Sequence, residues 1–403
     1  MNRKEINIGL FGFGCVGNGL HKAIQSTPGL NASIKRICVK DKSKKRQISA
    51  SHFTYRKNDI LEDESINTVV ELIDDADAAF DIVKTALQKG KAVVTANKKM
   101  IAEHFDELIH LQRQNNVPLL YEAACSASIP IIRNLEEYYD NDLLESVEGI
   151  VNGSTNYILS KIANEEISYE KALHEAQQNG YAESNPIMDT GGFDAKFKLT
   201  ILIAHAFGLV VDPSEIFNIG IDKLGELELN YAKEKGYKIK LVAFAEKTIE
   251  GKIIAFVLPK FVKNNDNLYG VEDVFNGIKT KSSLNEMQFF LGKGAGAFPT
   301  ASAVLSDISA LSYDYRYEYK KLNNTDVLEN ESDILLKIFL RHELSFSTDF
   351  KKYFNEINES YQNHSNAYII GVISLKNLKV IEMFKNTLIS VVLFNISNTN
   401  LLK

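Results

Sequence analysis

The 403-residue sequence has few cysteines, no long apolar run and no excess of positive charge. Its three cysteines, Cys15, Cys38 and Cys125, include no closely spaced pair. This argues against a disulfide framework and a zinc knuckle, and it predicts a reduced, cytoplasmic protein. No apolar run approaches the roughly 20 residues that a membrane-spanning helix needs, so we expect no membrane contact. The amino-terminal residues lead into a short β-like run, so we expect no signal peptide.

The charge balance is slightly acidic. The chain has 46 Lys and Arg against 52 Asp and Glu, a formal net charge of −6. It therefore lacks the clustered excess of cations that binding to nucleic acid requires. Hydrophobic residues make up 45% and charged residues 24% of the sequence, as in an ordinary globular protein. A chain of this length is large enough for two or three domains.

Strand-like and helical segments alternate over residues 1–125. Apolar, β-branched runs occur at residues 6–11, 34–39, 68–73 and 92–95, with helical segments between strands. Strands separated by helices of this length form a parallel sheet with helices on both faces. We therefore predict an α/β fold whose first domain is a doubly wound parallel sheet.

The pattern becomes mixed beyond residue 125. A helix is predicted over residues 194–207 and a β-hairpin over residues 239–258, with further strand-like pieces near 267–271 and 288–291. This mixture predicts a second domain of α+β type over residues 126–299.

The carboxyl-terminal third contains two more predicted features. A helix at residues 300–311 is expected to return to the first domain and complete it near residues 300–320. Residues 333–403 contain strand-like runs and a predicted helix at 350–361, and so form a short α+β tail. This tail is either a small regulatory module or a degenerate piece of one.

A glycine-rich loop lies between the first predicted strand and the first predicted helix. It has the G-x-G-x-x-G spacing and comprises Gly12, Phe13, Gly14, Cys15, Val16 and Gly17. The first glycine permits a tight turn, the second lets a pyrophosphate approach the backbone, and the third lets the helix pack closely. The helix N-terminus would add free N–H groups. We therefore predict a Rossmann-type, dinucleotide-binding domain, in preference to an ordinary tight turn.

The residues after the second strand bear on the choice of dinucleotide. An acidic residue there accepts the ribose hydroxyls of NAD, whereas a basic residue accommodates the 2′-phosphate of NADP. Lys40 is close to the expected position and Arg46 belongs to a basic run beyond it, but Asp41 favours the opposite choice. NADP is favoured, NAD stays open, and the basic run is equally typical of a solvated loop.

Two lysines lie in places where they could serve chemistry. Lys98 follows a predicted strand, near the carboxyl edge of the sheet where ligands bind in such folds. Lys198 lies four residues after Asp194 on a predicted helix, so the two share one face. Each lysine also has a plain interpretation, as a surface residue or a solvent-exposed salt bridge. However, Glu183 and Asp189 add acidic groups to the segment just before Asp194, and a desolvated lysine beside a carboxylate could exchange a proton with an alcohol.

A run of small residues between Glu122 and Pro130 precedes another predicted helix. A turn of this type exposes several carbonyl groups and could hold a monovalent cation, although a plain strand-to-helix loop explains it equally well. Cys125 has no histidine beside it, which argues against thiol catalysis. The eight histidines show no metal-ligand spacing.

Taken together, these motifs resemble those of homoserine dehydrogenase over roughly residues 5–320. Besides the glycine loop, the resemblance rests on VVTANK at 93–98, YEAA at 121–124, GIVNGSTNYIL at 149–159, GYAE at 180–183 and GAGAFPTASAV at 294–304. It implies the interconversion of L-aspartate 4-semialdehyde and L-homoserine with NAD(P), in threonine, methionine and isoleucine biosynthesis. It also implies a cytoplasmic homodimer formed through the second domain. Because no aspartate kinase portion precedes the fold, we expect a monofunctional enzyme.

The resemblance implies roles for individual residues. Lys198 would be the proton donor and acceptor, assisted by Lys98 and Asp194. The remaining residues fall into three groups: for the substrate, Glu183, Asp189, Gly153 and Thr155; for the cofactor, residues 12–17 with Lys40, Thr95, Lys98 and Gly294; for Na⁺ or K⁺, Glu122, Cys125, Ala127 and Ile129, mainly through backbone carbonyls.

Two alternatives stay open: another oxidoreductase of the same fold, and a binding protein of a different functional class. An aspartate-semialdehyde dehydrogenase would need an activated cysteine nucleophile, which the surroundings of Cys125 do not favour. A non-catalytic protein that senses a dinucleotide could keep the glycine loop, but it would not need Lys98, Glu183, Asp194 and Lys198 together.

Overall fold

The computed structural model describes residues 4–141, 143–322, 327–329, 333–343, 349–364, 366–384 and 389–397. Parts of the predicted tail, residues 344–348, 365, 385–388 and 398–403, lie outside this description. The chain forms two compact units. The first comprises Met1–Asp140, Thr200–Asp212 and Gly292–Leu322, and the second comprises Asn141–Leu199, Pro213–Leu291 and Asn323–Lys403. Within the described part of the chain, no helix combines the length and apolar character needed to cross a membrane.

The first unit contains a six-stranded sheet in which every strand pair is parallel. In spatial order its strands are Phe53–Thr54, Ala32–Cys38, Ile6–Phe11, Thr68–Glu71, Ala92–Thr95 and Leu119–Leu120. The strand order reverses beside Ile6–Phe11, and open α/β sheets bind their ligands at the carboxyl ends of strands flanking such a reversal. The predicted doubly wound parallel sheet is therefore confirmed.

Helices flank this sheet because the connections between its strands are long and amphipathic. They are Cys15–Gln25, Asn58–Leu61, Ala76–Gln88, Lys98–Glu103, Phe105–Asn115, Ala123–Ser126, Ile131–Arg133 and Ala297–Leu311, with a π-helix at Asn134–Tyr138 and a 3₁₀ turn at Ala50–His52. The helix Ala297–Leu311, from late in the chain, packs closely on Cys15–Gln25. A Cβ added at Gly19 would lie 2.8 Å from the Ala297 carbonyl oxygen, so glycine there permits this approach.

The second unit contains a ten-stranded mixed sheet. In spatial order, nine of its strands are Glu286–Lys293, Phe275–Ser282, Leu144–Ile150, Lys238–Lys247, Ile253–Val262, Ile389–Ile396, Leu335–Glu343, Asn366–Ser374 and Phe354–Gln362. The tenth strand, Phe217–Asn218, pairs with Ile253–Val262. The hairpin predicted over residues 239–258 is confirmed, since Lys238–Lys247 and Ile253–Val262 pair antiparallel in full register. The strand predicted near 267–271 is wrong: Asn267–Gly270 is a 3₁₀ turn, because the Asp266 side chain accepts the N–H of Leu268 at 2.9 Å.

Helices of the second unit include most of the predicted ones and three that were not predicted, at 187–190, 226–235 and 375–382. They are Gly153–Glu165, Tyr169–Gln178, Ile187–Thr190, Glu226–Lys235 and Leu375–Glu382, together with Phe193–Phe207, whose first seven residues belong to this unit; a 3₁₀ turn lies at Pro213–Glu215. The helix predicted at 350–361 is wrong, because a 3₁₀ turn at Phe350–Tyr353 leads into the strand Phe354–Gln362. Two irregularities interrupt the pairing of this strand. A β-bulge inserts an extra residue and hides the period of two that marks a strand.

The tail shares its core with the rest of the second unit. Ile254, Phe256 and Leu258 belong to the same hydrophobic cluster as Ile338 and Leu340 from the tail. A buried ion pair adds to this packing.

The ion pair joins Arg341 of the tail to Glu228 of the helix Glu226–Lys235. Arg341 Nε lies 2.9 Å from Glu228 Oε2, and the two side chains are 5% and 0% exposed. Glu228 Oε1 also accepts the Gly225 N–H at 2.7 Å and the Ser390 hydroxyl, while Arg341 donates to the Lys223 carbonyl at 2.6 Å. Because a buried carboxylate needs several donors to offset its desolvation, these contacts fix the tail on the second unit.

Candidate active site

The three glycines of the motif lie around the start of the helix Cys15–Gln25: Gly12 and Gly14 precede it, and Gly17 lies in its first turn. Gly12 has φ +92°, and a Cβ there would lie 2.4 Å from the Leu72 carbonyl oxygen. A Cβ at Gly17 would lie 2.5 Å from the Gly12 carbonyl oxygen, whereas the space beside Gly14 is open for 4 Å. Gly14 is also the N-cap residue and offers no side chain to the first N–H groups of the helix. The loop therefore fits a pyrophosphate, which needs an open face and free N–H donors.

The loop after the second strand keeps its acidic residue engaged with its own backbone. The Asp41 carboxylate accepts the N–H and the hydroxyl of Ser43, both at 2.7 Å, and the N–H of Lys44 at 3.3 Å. These hydrogen bonds, with Ser43 first, lower the pKa of Asp41. Arg46 donates to the Asp41 carbonyl at 2.8 Å and lies 5.1 Å from the Phe53 ring centroid. Lys40 is exposed. The loop therefore presents the positive charge of Lys40 to solvent, while the Asp41 carboxylate is engaged by hydrogen bonds from its own loop.

At the carboxyl ends of two neighbouring strands, Glu71 and Thr95 form a buried hydrogen bond that the sequence did not predict. The Thr95 hydroxyl donates to Glu71 Oε2 at 2.5 Å and accepts the Asn97 N–H at 3.0 Å. Asn97 caps the helix Lys98–Glu103 by accepting the Met100 N–H at 3.0 Å. Lys98, the first residue of that helix, is half-buried. The sequence signal for Glu71 was an acid at the end of an apolar strand.

The strongest concentration of polar groups lies wholly in the second unit, around Lys198. Lys198 Nζ lies 2.7 Å from Asp194 Oδ2 and 2.7 Å from the Val151 carbonyl oxygen. The side chains of Lys198 and Asp194 are 9% and 6% exposed. The pair is therefore buried, and the alternative of a solvent-exposed salt bridge is wrong.

Asn152 joins this pair to Asp189, and sequence reasoning missed it. Its Nδ2 donates to Asp194 Oδ2 at 2.8 Å and to Asp189 Oδ1 at 2.7 Å. Its Oδ1 accepts the N–H of Thr155 at 2.8 Å and the hydroxyl of Thr155 at 2.9 Å, which caps the helix Gly153–Glu165. The available signal was the residue type, because asparagine is a favoured N-cap, but no helix was predicted to begin at residue 153. One side chain thus orients two carboxylates and begins a helix.

The other predicted substrate residues lie around this network in different ways. Thr155 is fully buried, so its side chain acts on the network through Asn152. Gly153 allows a close approach, since a Cβ there would lie 2.9 Å from the Val274 carbonyl oxygen. Glu183 is exposed, and its backbone carbonyl accepts the Gln177 side chain at 3.0 Å. The structure therefore joins Asp194 to Lys198 directly and links Asp189 to them through Asn152, and it leaves Glu183 outside that network.

The turn predicted to bind a cation is held by a second buried network. The Glu122 carboxylate accepts the N–H groups of Ile132 at 2.8 Å and Arg133 at 2.9 Å, and the Glu122 N–H donates to Asp307 at 2.9 Å. Burial, and secondarily the charge of Asp307, raises the pKa of Glu122 to about 8. Among the described residues, no cluster of three or more His, Cys, Asp or Glu could hold a metal.

Any cation at this turn would depend on backbone oxygens. Cys125, Ala127 and Ile129 are buried, and Ala127 has φ +43°, a conformation that turns the backbone sharply. Such a donor set suits a monovalent cation better than a transition metal, since hard cations prefer oxygen ligands. Gly294, predicted to contact the cofactor, follows the strand Glu286–Lys293 and precedes the helix Ala297–Leu311.

Comparison with known proteins places this arrangement in a family. The family model described as "Homoserine dehydrogenase, NAD binding domain" matches residues 12–122, and the model "Homoserine dehydrogenase" matches residues 130–309. A homoserine dehydrogenase of Bacillus subtilis is 31% identical over 380 residues, covering 89% of this chain and 87% of that protein. The chain belongs to the homoserine dehydrogenase family. A homoserine dehydrogenase of Helicobacter pylori is 39% identical over 313 residues, covering 76% of this chain and 73% of that protein.

Solved structures of homoserine dehydrogenases resemble the chain in fold as well. One from Thiobacillus denitrificans has a TM-score of 0.85 at 28% identity and covers 97% of this chain and 98% of that one. A hyperthermophilic archaeal homoserine dehydrogenase in complex with NADPH has a TM-score of 0.67 at 27% identity and covers 78% of this chain and 99% of that one.

Family membership decides between the open alternatives. The chain is an oxidoreductase that acts on a CH–OH group and has a domain for a nicotinamide dinucleotide. The readings as an aspartate-semialdehyde dehydrogenase or as a non-catalytic sensor are therefore set aside.

Proposed function

We propose that the chain interconverts L-homoserine and L-aspartate 4-semialdehyde in threonine, methionine and isoleucine biosynthesis, with Lys198 as its acid–base group. The observation that carries this proposal is the burial of Lys198 between two oxygen acceptors, Asp194 Oδ2 and the Val151 carbonyl, each 2.7 Å from its Nζ. An amine held in this way can take a proton from an alcohol and return it in the reverse reaction.

Each polar group of this network has a task in the proposed reaction. The bound dinucleotide supplies the acceptor for the hydride that leaves C4 of homoserine. Lys198 takes the proton of the substrate hydroxyl, and Asp194 keeps the lysine amine in place through their ion pair. Asn152 fixes Asp194 in turn. Lys98 assists as a second cation near the substrate.

The substrate carries an ammonium group, for which carboxylates are the natural partners. We assign this task to Glu183 and Asp189. Glu183 is exposed, and Asp189 is already oriented by Asn152. Gly153 and Thr155 belong to the first turn of the helix Gly153–Glu165, which Asn152 caps.

We propose NADP as the preferred dinucleotide. The reason is that Asp41, the residue that would favour NAD, engages three donors of its own loop. Lys40 beside it is exposed and can meet a 2′-phosphate. Thr95, Gly294 and the glycine loop complete the proposed cofactor site.

The remaining proposals concern assembly and ions. Residues 1–125 bind the dinucleotide, residues 126–299 bind the substrate and form a cytoplasmic homodimer, and residues 333–403 form the tail. A Na⁺ or K⁺ ion would use the backbone carbonyls of Glu122, Cys125, Ala127 and Ile129, since the Glu122 carboxylate is engaged by two N–H groups.

The central test replaces Lys198 by methionine, which keeps the apolar stem and removes the amine. We expect Lys198→Met to lower kcat for L-homoserine oxidation by at least about 10², while NADPH binding stays within about threefold because the glycine loop is untouched. Lys196→Met, on the same helix, is the matched control, since the Lys196 amine lies 5.0 Å from the Phe193 ring and outside the proposed machinery. The assay follows NADP⁺ reduction with K⁺ or Na⁺ present. Turnover of Lys198→Met close to that of Lys196→Met would contradict the proposal.

A further inference from the structure

We propose that Glu71 is a positioning residue for the reaction: its buried carboxylate holds the turn that carries Lys98 at the carboxyl edge of the parallel sheet. The inference rests on the proposed function, in which Thr95 and Lys98 serve the cofactor and the substrate. We assign Glu71 no contact with the cofactor or the substrate. It acts on the reaction through the turn that carries Lys98.

The carboxylate joins the ends of two neighbouring strands. Glu71 is the last residue of Thr68–Glu71 and is fully buried. Its Oε1 accepts the Ile73 N–H at 2.6 Å, on the segment after its own strand. Its Oε2 accepts the Thr95 hydroxyl at 2.5 Å, at the end of the adjacent strand Ala92–Thr95. The two oxygens therefore act on two different chain segments.

From Thr95 the hydrogen bonds continue to the start of the next helix and return. The Thr95 hydroxyl oxygen accepts the Asn97 N–H at 3.0 Å. Asn97 Oδ1 accepts the Met100 N–H at 3.0 Å, and Asn97 Nδ2 donates to the Ile73 carbonyl at 3.1 Å. Ile73 is also the residue whose N–H binds Glu71, so the hydrogen bonds form a closed ring. Lys98 directly follows Asn97 and is the first residue of the helix that Asn97 caps, so the ring holds the turn that carries it.

A structural role alone would not require an acid at this position. The strand residues Val69 and Val70 are fully buried, and burial raises the pKa of Glu71 to about 7, because it removes water from the charged form. An apolar side chain would avoid that cost. An ionised carboxylate, however, accepts at both oxygens, and that allows one side chain to hold Ile73 and Thr95 together.

Glutamine at this position would disturb one end of the ring selectively. Its single amide oxygen must face the Ile73 N–H, because that group only donates. Its NH₂ group would then face the Thr95 hydroxyl oxygen, which already accepts the Asn97 N–H, so the Glu71–Thr95 hydrogen bond reverses its direction. Glu71→Gln therefore keeps size and packing while weakening the attachment of the Lys98 turn.

The experiment compares Glu71→Gln with a change at a buried residue that precedes the strand Ala92–Thr95, at the amino-terminal edge of the sheet. Lys91 is buried and its amine donates to the carbonyls of Asp63 and Ile66, both at 2.6 Å, so Lys91→Met removes two hydrogen bonds far from the turn. We expect Glu71→Gln to lower kcat by about tenfold or more, since small misplacements of reacting groups are costly. Its NADPH dissociation constant should stay within about threefold. Lys91→Met should lose thermal stability and keep kcat within about twofold, as expected of a structural residue.

A double-mutant cycle then asks whether Glu71 acts through Lys98. If it does, Glu71→Gln should change kcat by less than about twofold in a Lys98→Met background, because coupled residues are not additive. Where turnover of Lys98→Met is too slow to measure, the same cycle is read on the affinity of the NADPH complex for L-homoserine. Fully additive effects would overturn the proposal.

A further variant keeps the test decisive if Glu71→Gln does not fold. Asn97→Asp keeps an oxygen that accepts the Met100 N–H but removes the amide that donates to the Ile73 carbonyl, so it opens the ring at another bond and should lower kcat as Glu71→Gln does. Wild-type kcat in Glu71→Gln, or in Asn97→Asp, would overturn the inference. Should Lys198→Met be inactive while those variants are normal, the proposed function stands and only the role of Glu71 fails. Should Lys198→Met turn over normally, the proposed function fails on its own.

Discussion

Replacing Asn152 tests whether one asparagine both begins a helix and orients the catalytic carboxylates. Asn152→Ala removes four hydrogen bonds: two that Thr155 donates to its oxygen, and one each from its Nδ2 to Asp189 and Asp194. Loss of an N-cap costs about 1 kcal/mol. Each hydrogen bond to a charged group contributes about 1.5–3 kcal/mol, at the lower end here because Asp194 keeps Lys198 as a partner and Asp189 is half-buried.

The sum, about 1 kcal/mol for the cap and about 1.5 for each of the two hydrogen bonds to a carboxylate, predicts that Asn152→Ala lowers the free energy of unfolding by about 4 kcal/mol. Asn152→Ser is the matched variant, because a serine oxygen can still accept the N–H of Thr155 but supplies no amide donors. We expect Asn152→Ser to recover about 1 kcal/mol and to leave the activity as low as in Asn152→Ala. The expected fall in kcat is about 10- to 100-fold in both variants, since Asp194 loses the donor that orients it beside Lys198.

Urea unfolding followed by circular dichroism gives the stabilities, and initial rates with L-homoserine and NADP⁺ give kcat. The two readouts separate the two roles of Asn152. If Asn152→Ser kept wild-type kcat, the capping of the helix and not the amide donors would be what matters, and the network around Lys198 would not need Asn152. A stability loss below about 0.5 kcal/mol in Asn152→Ala would contradict the reasoning from its hydrogen bonds.

Two more predictions concern the cofactor loop and the tail. Lys40→Ala should raise KM for NADPH more than KM for NADH in steady-state assays, because only NADPH carries the 2′-phosphate; equal increases would reject Lys40 as its partner. Arg341→Met should lower the free energy of unfolding by about 3–5 kcal/mol in urea, since it leaves the buried carboxylate of Glu228 without its cation, and Arg341→Met combined with Glu228→Leu should recover most of that loss. If the double variant were no more stable than the single one, an unpaired buried charge would not be the cause.

The features predicted from sequence were those that depend on neighbours in the chain. The glycine loop at residues 12–17 and the hairpin around residues 239–258 both have local signatures, and both have the predicted backbone form. The i,i+4 spacing of Asp194 and Lys198 predicted a shared helix face. It did not predict burial, because the groups that cover the pair come from the distant segment around Val151.

The features that were missed depend on contacts between distant segments. Asn152 matters because two carboxylates about 40 residues later approach its amide, and Glu71 because Thr95 lies on a neighbouring strand. No local period reveals either partner. The strand Phe354–Gln362 was predicted as a helix because its bulges break the alternation on which strand prediction depends.

The position of Ile389–Ile396 in the second sheet has a consequence for how the protein is made. This late segment lies between Ile253–Val262 and Leu335–Glu343, so it occupies an interior place although it follows both neighbours in the chain. A ribosome must therefore release the chain through residue 396 before that gap can close. Until then, two strand edges stay open to chaperones or to a sister molecule, and nascent chains halted before residue 389 would carry an incomplete sheet.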